Sequence, residues 1–179
     1  VERDEKFGKS YFSLNSDGSR ADLIMIKGGG YRHPSSEETL REKVVDEYGN
    51  IRSDEQGYMQ GGDVFNFVIR EIPRDIKKTL EYAGDTADSF DYIVFHQANN
   101  FINAYIAKKM KLDTDKIPST IAKYGNTSSV SVPLTIVSEL KDRLYGNKKL
   151  LLSAFGVGMT WATGIVPFVD CKISDIVEV

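Results

Sequence analysis

The chain has 179 residues, 41% hydrophobic and 27% charged, which is enough apolar material for one core and about one domain, and excludes a disordered or fibrous chain. No apolar run approaches the ~20 residues that cross a bilayer, and the single Cys171 and two histidines exclude an internal disulfide and a zinc site of the usual ligand spacing. A net charge of −3 gives no reason to expect nucleic acid.

The opening segment, Val1 to Lys6, is charged rather than signal-like, so a soluble, cytoplasmic protein is expected. Val1 is not a natural initiator, and the chain is expected to derive from a longer one. Residues 9–14 alternate and are aromatic-rich, as in a strand, and Asn15-Ser16-Asp17-Gly18 is a turn signal. Residues 21–26 read as the antiparallel partner. Gly28-Gly29-Gly30 lacks the helix a phosphate cradle needs and reads as a flexible loop, and His33 lies among turn formers at the surface. The polar stretch 34–56 predicts a loop with one short helical turn.

Phe65, Val68, Ile69, Ile72, Ile76 and Leu80 recur at helical spacing and predict an amphipathic helix with one buried stripe, kinked at Pro73 and ended by Ala83-Gly84. One more turn is expected at 86–89. Residues 92–95 are continuously apolar and predict a central strand covered on both faces. A helix over 99–110 follows, with Phe101, Ile102, Tyr105, Ile106 and Met110 as its core stripe. A second helix is expected over 128–145, with Pro133 in its first turn, where proline is tolerated. Residues 149–155 and 159–169 predict a closing hairpin around Gly156-Val157-Gly158. A strand follows this turn, so it is not a dinucleotide fingerprint. Cys171 reads as a small apolar thiol.

Two hinges carry polar side chains to packed edges. His96 ends the strand at 92–95, the default place for a ligand-handling group in an open α/β sheet. Asn126 precedes Thr127, Ser128 and Ser129, any of which could cap the next helix. A neutral imidazole and a carboxamide both donate hydrogen bonds, so His96 and Asn126 together could hold a carbonyl oxygen as it becomes an enolate. The expectation is that both converge on one small pocket. Between Tyr105 and Tyr124, five lysines (108, 109, 111, 116 and 123) stand against two aspartates, a local +3 that suits either a solvated helix face or an acidic partner.

Four motifs in order, Met59-Gln60-Gly61-Gly62-Asp63-Val64-Phe65, Phe95-His96-Gln97-Ala98-Asn99, Gly125-Asn126-Thr127-Ser128-Ser129 and Ala154-Phe155-Gly156-Val157-Gly158-Met159-Thr160-Trp161, resemble the C-terminal half of β-ketoacyl-acyl carrier protein synthase III. The resemblance runs from the Asn15 turn to Phe168. It implies an α/β, thiolase-like half over 1–179, a mixed sheet of about five strands with helices packed on it. It also implies an acyltransferase of fatty acid biosynthesis in which a cysteine of the N-terminal half, absent from this chain, is acylated from a coenzyme A thioester. Malonyl-acyl carrier protein then loses carbon dioxide and its carbanion attacks the acyl group.

By that resemblance His96 and Asn126 are catalytic, binding the malonyl thioester carbonyl. Phe155 lines the malonyl pocket, and Gly156 and Val157 belong to the oxyanion turn, where Val157 stands in place of the glycine of many relatives. Ala98 and Asn99 line the pantetheine channel. Lys108 and Lys109 receive the acyl carrier protein, although Phe101 stands where the family commonly has an arginine. No metal and no permanently bound cofactor is implied, the substrates being coenzyme A thioesters and phosphopantetheine-carried acids. The implied partners are the acyl carrier protein, acyl-CoA, the N-terminal half and a second copy as a homodimer, without nucleic acid or membrane. The chain alone is expected to be inactive. Two alternatives stay open: a related thiolase-fold synthase or acyltransferase of specialised metabolism, and a non-catalytic pantetheine-binding module.

Overall fold

The structure, a computed structural model, describes residues 7–177; the charged opening segment lies outside them. The described chain divides into two units, one formed by residues 16–66 and 156–160, the other by the remainder.

Strand β1 (Tyr11–Ser16) alternates half-buried and exposed residues, as a strand with one covered face does. The segment after it does not return as its partner. The Asp17 carboxylate accepts the Ser19 N–H at 3.1 Å, and Gly18–Leu23 coils into 3-10 turns. Only β2 (Ile24–Met25) is extended there. Helix α1 (Glu37–Leu40) is capped by Ser36, whose side chain and that of Thr39 satisfy each other's backbone N–H groups. β3 (Lys43–Val44) and β4 (Ile51–Arg52) form an antiparallel ribbon, and β5 (Tyr58–Met59) is the antiparallel partner of β2. The expected hairpin of 9–14 with 21–26 is thus replaced by a pairing across more than thirty residues. The stretch 34–56 is also more ordered than its polarity implied, because Asp46 closes the β3–β4 turn by accepting the N–H groups of Tyr48 and Asn50.

Helix α2 (Gly61–Ala83) runs unbroken through Pro73 and ends at Gly84, whose φ of +70° suits a residue without Cβ. Its buried face carries Phe67, Val68, Ile72, Ile76 and Leu80. Phe65 and Ile69 are only half-buried, so the stripe sits slightly round the helix from where the spacing put it. That rotation brings Asp75 and Thr79 onto the buried face. Asp75 is satisfied there by the hydroxyls of Ser13 (2.5 Å) and Thr163 (2.6 Å) and the amide of Asn15 (2.8 Å).

After a single turn at Ala87–Ser89 comes β6 (Tyr92–Phe95), with Ile93, Val94 and Phe95 all buried. Helix α3 (Asn100–Met110) buries Ile102, Asn103, Ile106 and Ala107, while Phe101 and Tyr105 are 68% and 38% exposed, so both aromatics of its expected stripe face outward. Beyond α4 (Ile121–Tyr124), the single helix expected over 128–145 is a succession: a 3-10 turn (Ser128–Val130), α5 (Ser131–Thr135), a π stretch (Ile136–Leu140) and another 3-10 turn (Lys141–Arg143). Pro133 offers no N–H to the ladder, and the Thr135 hydroxyl takes up the Ser131 carbonyl at 2.7 Å, which interrupts regular pairing.

β7 (Asn147–Gly156) pairs in parallel with β6, Tyr92 opposite Leu150 and Phe95 opposite Ser153. β8 (Thr160–Val169) is its other neighbour, and the three residues joining them are too few for a crossover, so that pair is antiparallel. The sheet is mixed, as expected, and among the described residues it has four strands in the order β1-β8-β7-β6. β6 is therefore last in order rather than central. Val94, Leu140, Leu144 and Leu150 pack as one cluster between the sheet and the irregular helix, and burying each such side chain stabilises the fold by about 1.5–3 kcal/mol.

Candidate active site

The carboxyl end of β6 hands the chain to a tightly held residue. The His96 N–H donates to the Ser153 carbonyl at 2.8 Å, extending the parallel ladder by one step. Its carbonyl accepts from the Asn103 amide of α3 at 3.2 Å. The ring is half-buried, with Nδ1 2.6 Å from the Ser131 hydroxyl and the Phe155 ring edge-on, 5.2 Å between centroids at 80°. Nε2 has no partner among the described residues. Burial alone holds the imidazole below the usual histidine range, so the ring is neutral near pH 7.

Its neighbours lock the turn. Gln97 is fully buried; its amide donates to the Phe95 carbonyl at 2.7 Å, and its Oε1 accepts from the Ser119 hydroxyl at 3.1 Å and the Thr120 N–H at 3.0 Å. The Thr120 and Thr135 hydroxyls are 2.8 Å apart. Asn99 caps α3, its Oδ1 accepting the Ile102 N–H at 2.8 Å, and Ala98 beside it is half-buried.

Asn126 lies on the exposed turn between α4 and the 3-10 turn, following Gly125, whose φ is +67°. Its Oδ1 accepts the Ser128 N–H at 2.9 Å, so Asn126 organises the turn while Thr127, Ser128 and Ser129 cap nothing with their side chains. Its Nδ2 carries no hydrogen bond among the described residues. The structure thus brings together His96, Phe155 and Ser131, the last five positions beyond Asn126. No hydrogen bond joins His96 to Asn126 itself.

Gly156 and Val157 belong to the other unit. There the Val157 carbonyl accepts the Thr160 hydroxyl at 2.8 Å, Gly158 has a φ of +135°, and the Gly158–Met159 peptide is cis. Of the five lysines, three are committed. Lys109 donates to the Ile69 carbonyl of α2 at 2.7 Å, Lys116 to the carbonyls of Asp88 and Phe90, and Lys123 to Glu139 at 2.6 Å. Lys108 and Lys111 are exposed and their ammonium groups have no partner among the described residues.

Ser131 and Asn103, which hold His96 from two directions, were not singled out in the sequence. The available signal was a serine in an apolar helix turn close to the Asn126 hinge, where a buried hydroxyl needs a partner. A groove of about 500 Å³ at the opposite end of β6 and β7, lined by Tyr11, Asp85, Asp91, Lys148 and Lys149 among others, is distinct from the His96 surroundings. Among the described residues no cluster of His, Cys, Asp and Glu is arranged to hold a metal, and no helix is long and apolar enough to cross a membrane.

Residues 80–168 match the family described as 3-oxoacyl-[acyl-carrier-protein (ACP)] synthase III C terminal. A β-ketoacyl-[acyl-carrier-protein] synthase III of Streptococcus pneumoniae (strain Hungary19A-6) is 34% identical over 158 residues, covering 86% of this chain and 45% of that protein. The crystal structure of a 3-oxoacyl-(acyl-carrier protein) synthase from Burkholderia xenovorans LB400 superposes with a TM-score of 0.82 at 36% identity, over 95% of this chain and 47% of the other. The corresponding synthase III of Pseudomonas aeruginosa PAO1 gives 0.72 at 26%, over 97% and 48%. The chain spans about half the length of these relatives. With its mixed sheet, its helices and the matches to that region, the chain belongs to the thiolase-like β-ketoacyl-acyl carrier protein synthase III family, to whose C-terminal half it corresponds.

Proposed function

We propose that this chain supplies the decarboxylation half of a β-ketoacyl-acyl carrier protein synthase III active site. The observation that carries the reading is the neutral, half-buried His96, fixed at backbone and Nδ1 and left with Nε2 unpartnered. In this reading His96 Nε2–H and Asn126 Nδ2–H donate to the thioester carbonyl oxygen of a malonyl group carried on phosphopantetheine. As the carboxylate leaves as carbon dioxide, its electron pair passes into the thioester, and the oxygen that becomes an enolate is held by donors already in place. The α-carbon then attacks the acyl thioester formed from acyl-CoA on a cysteine of the N-terminal half, and that cysteine leaves as thiolate.

Phe155 walls the malonyl side of the imidazole, and Ala98 and Asn99 flank the pantetheine arm. Lys108, whose ammonium has no partner among the described residues, is the better placed of the two proposed contacts for an acidic carrier protein, since Lys109 is tied to α2. The chain alone lacks the nucleophile and does not condense. In the full protein, His96→Ala and Asn126→Ala each lower malonyl-thioester decarboxylation by about 10²–10³-fold, the cost of one oxyanion donor. Full activity in either variant contradicts the reading. Acylation of Cys171 in the isolated chain, read by mass spectrometry, contradicts the proposed inactivity.

A further inference from the structure

The protonation pattern of His96 follows from counting hydrogen bonds around Ser131. That side chain is 1% exposed, and its hydroxyl contacts two groups: His96 Nδ1 at 2.6 Å and the Gln97 N–H at 3.2 Å. The Gln97 N–H can only donate, so the Ser131 oxygen accepts there. If Nδ1 also carried a proton, the oxygen would accept twice and its own proton would be buried without an acceptor. A buried unmet donor is disfavoured. If Nδ1 is bare, every group is satisfied: the Gln97 N–H donates to Ser131 Oγ, and the Ser131 O–H donates to Nδ1. The remaining ring proton is then on Nε2.

We propose that Ser131 is a positioning residue that sets the tautomer of His96, its O–H donating to Nδ1 so that the ring presents Nε2–H. The assignment rests on the geometry alone; its functional meaning rests on the reading above. Nε2–H selects an acceptor such as a thioester carbonyl oxygen as the ligand atom and makes His96 a poor base toward a ligand proton at that face. The anchoring is doubled, because the hydroxyl that orients the ring also holds the backbone of the next residue.

The test is nitrogen NMR of the full protein labelled with ¹⁵N-histidine, the His96 signals being those lost in His96→Gln. At neutral pH the wild type shows a pyridine-type, unprotonated Nδ1 and a pyrrole-type, protonated Nε2. In Ser131→Ala the two resonances move toward each other as both tautomers populate, and decarboxylation falls about 10- to 100-fold, the size of loss seen when the outer partner of a metal-ligating histidine is removed. Ser131→Thr, which keeps the hydroxyl, restores the pattern. A protonated Nδ1 in the wild type, or an unchanged pattern in Ser131→Ala, overturns the inference. The signals report the proton without substrate, so an Nε2–H pattern in a protein that does not decarboxylate malonyl thioesters supports this inference while removing the reading it deepens.

Discussion

Taking the imidazole from position 96 removes a neutral ring from the end of β6, but the pH behaviour of the intact residue is as informative as its loss. Burial disfavours the charged ring, so the folded protein binds this proton less readily than the unfolded chain, whose histidines titrate near 6.5. Below about pH 6.5 the unfolded chain then carries more protons, and the stability His96 contributes is complete above that value and lost as the pH falls through the folded pKa. A titration of the His96 resonances is expected to have its midpoint below about 6.5, and a midpoint above it contradicts the burial argument. At the surface, Lys108→Glu is expected to raise KM for a carrier-borne substrate without changing kcat, and the effect shrinks as salt is added. Lys109→Glu also deprives the Ile69 carbonyl of its donor and is expected to lower the unfolding midpoint, which Lys108→Glu does not. An unchanged KM in Lys108→Glu removes that residue from the proposed contact.

Among the elements, Asp75 shows how a helix face records what it packs against. It lies between Ile72 and Ile76 on the buried side of α2, and its carboxylate gathers donors from β1 and β8. Asp75→Ala removes the carboxylate that accepts from Ser13, Asn15 and Thr163 and is expected to cost on the order of 3 kcal/mol, read from urea unfolding; a loss under about 1 kcal/mol contradicts the network's role. Helix α2, β6, α3 and the β7–β8 hairpin were legible because periodicity and turn residues are local signals. The partner of β2 was not, since Asp17 redirects the chain into 3-10 turns and the pairing with β5 is long-range. The continuous apolarity of β6 reported that both faces are covered, and it says nothing of the place in the sheet, where β6 is last. The helix after Asn126 kept its apolar spacing while Pro133 and Thr135 altered its hydrogen bonding. His96 could be read from its place at a strand end, whereas Ser131, 35 positions away, is brought to it only by folding.

For the molecule as a whole, the chain is half of its relatives in length, and β1, last in the sheet opposite β6, carries Phe12 and Leu14 at 62% and 81% exposure. Apolar side chains so placed favour association, and the isolated chain is expected to self-associate in light scattering at high concentration; a monodisperse monomer contradicts that expectation. The proposed chemistry depends on two donors, one ordered by Ser131 and Asn103 and the other on an exposed turn, acting on one atom. A crystal structure of the full protein with a non-hydrolysable malonyl-thioester analogue tests this most directly. His96 Nε2 and Asn126 Nδ2 are expected both within about 3.2 Å of the same thioester oxygen, and an analogue bound with either side chain turned away from that oxygen contradicts the proposed chemistry.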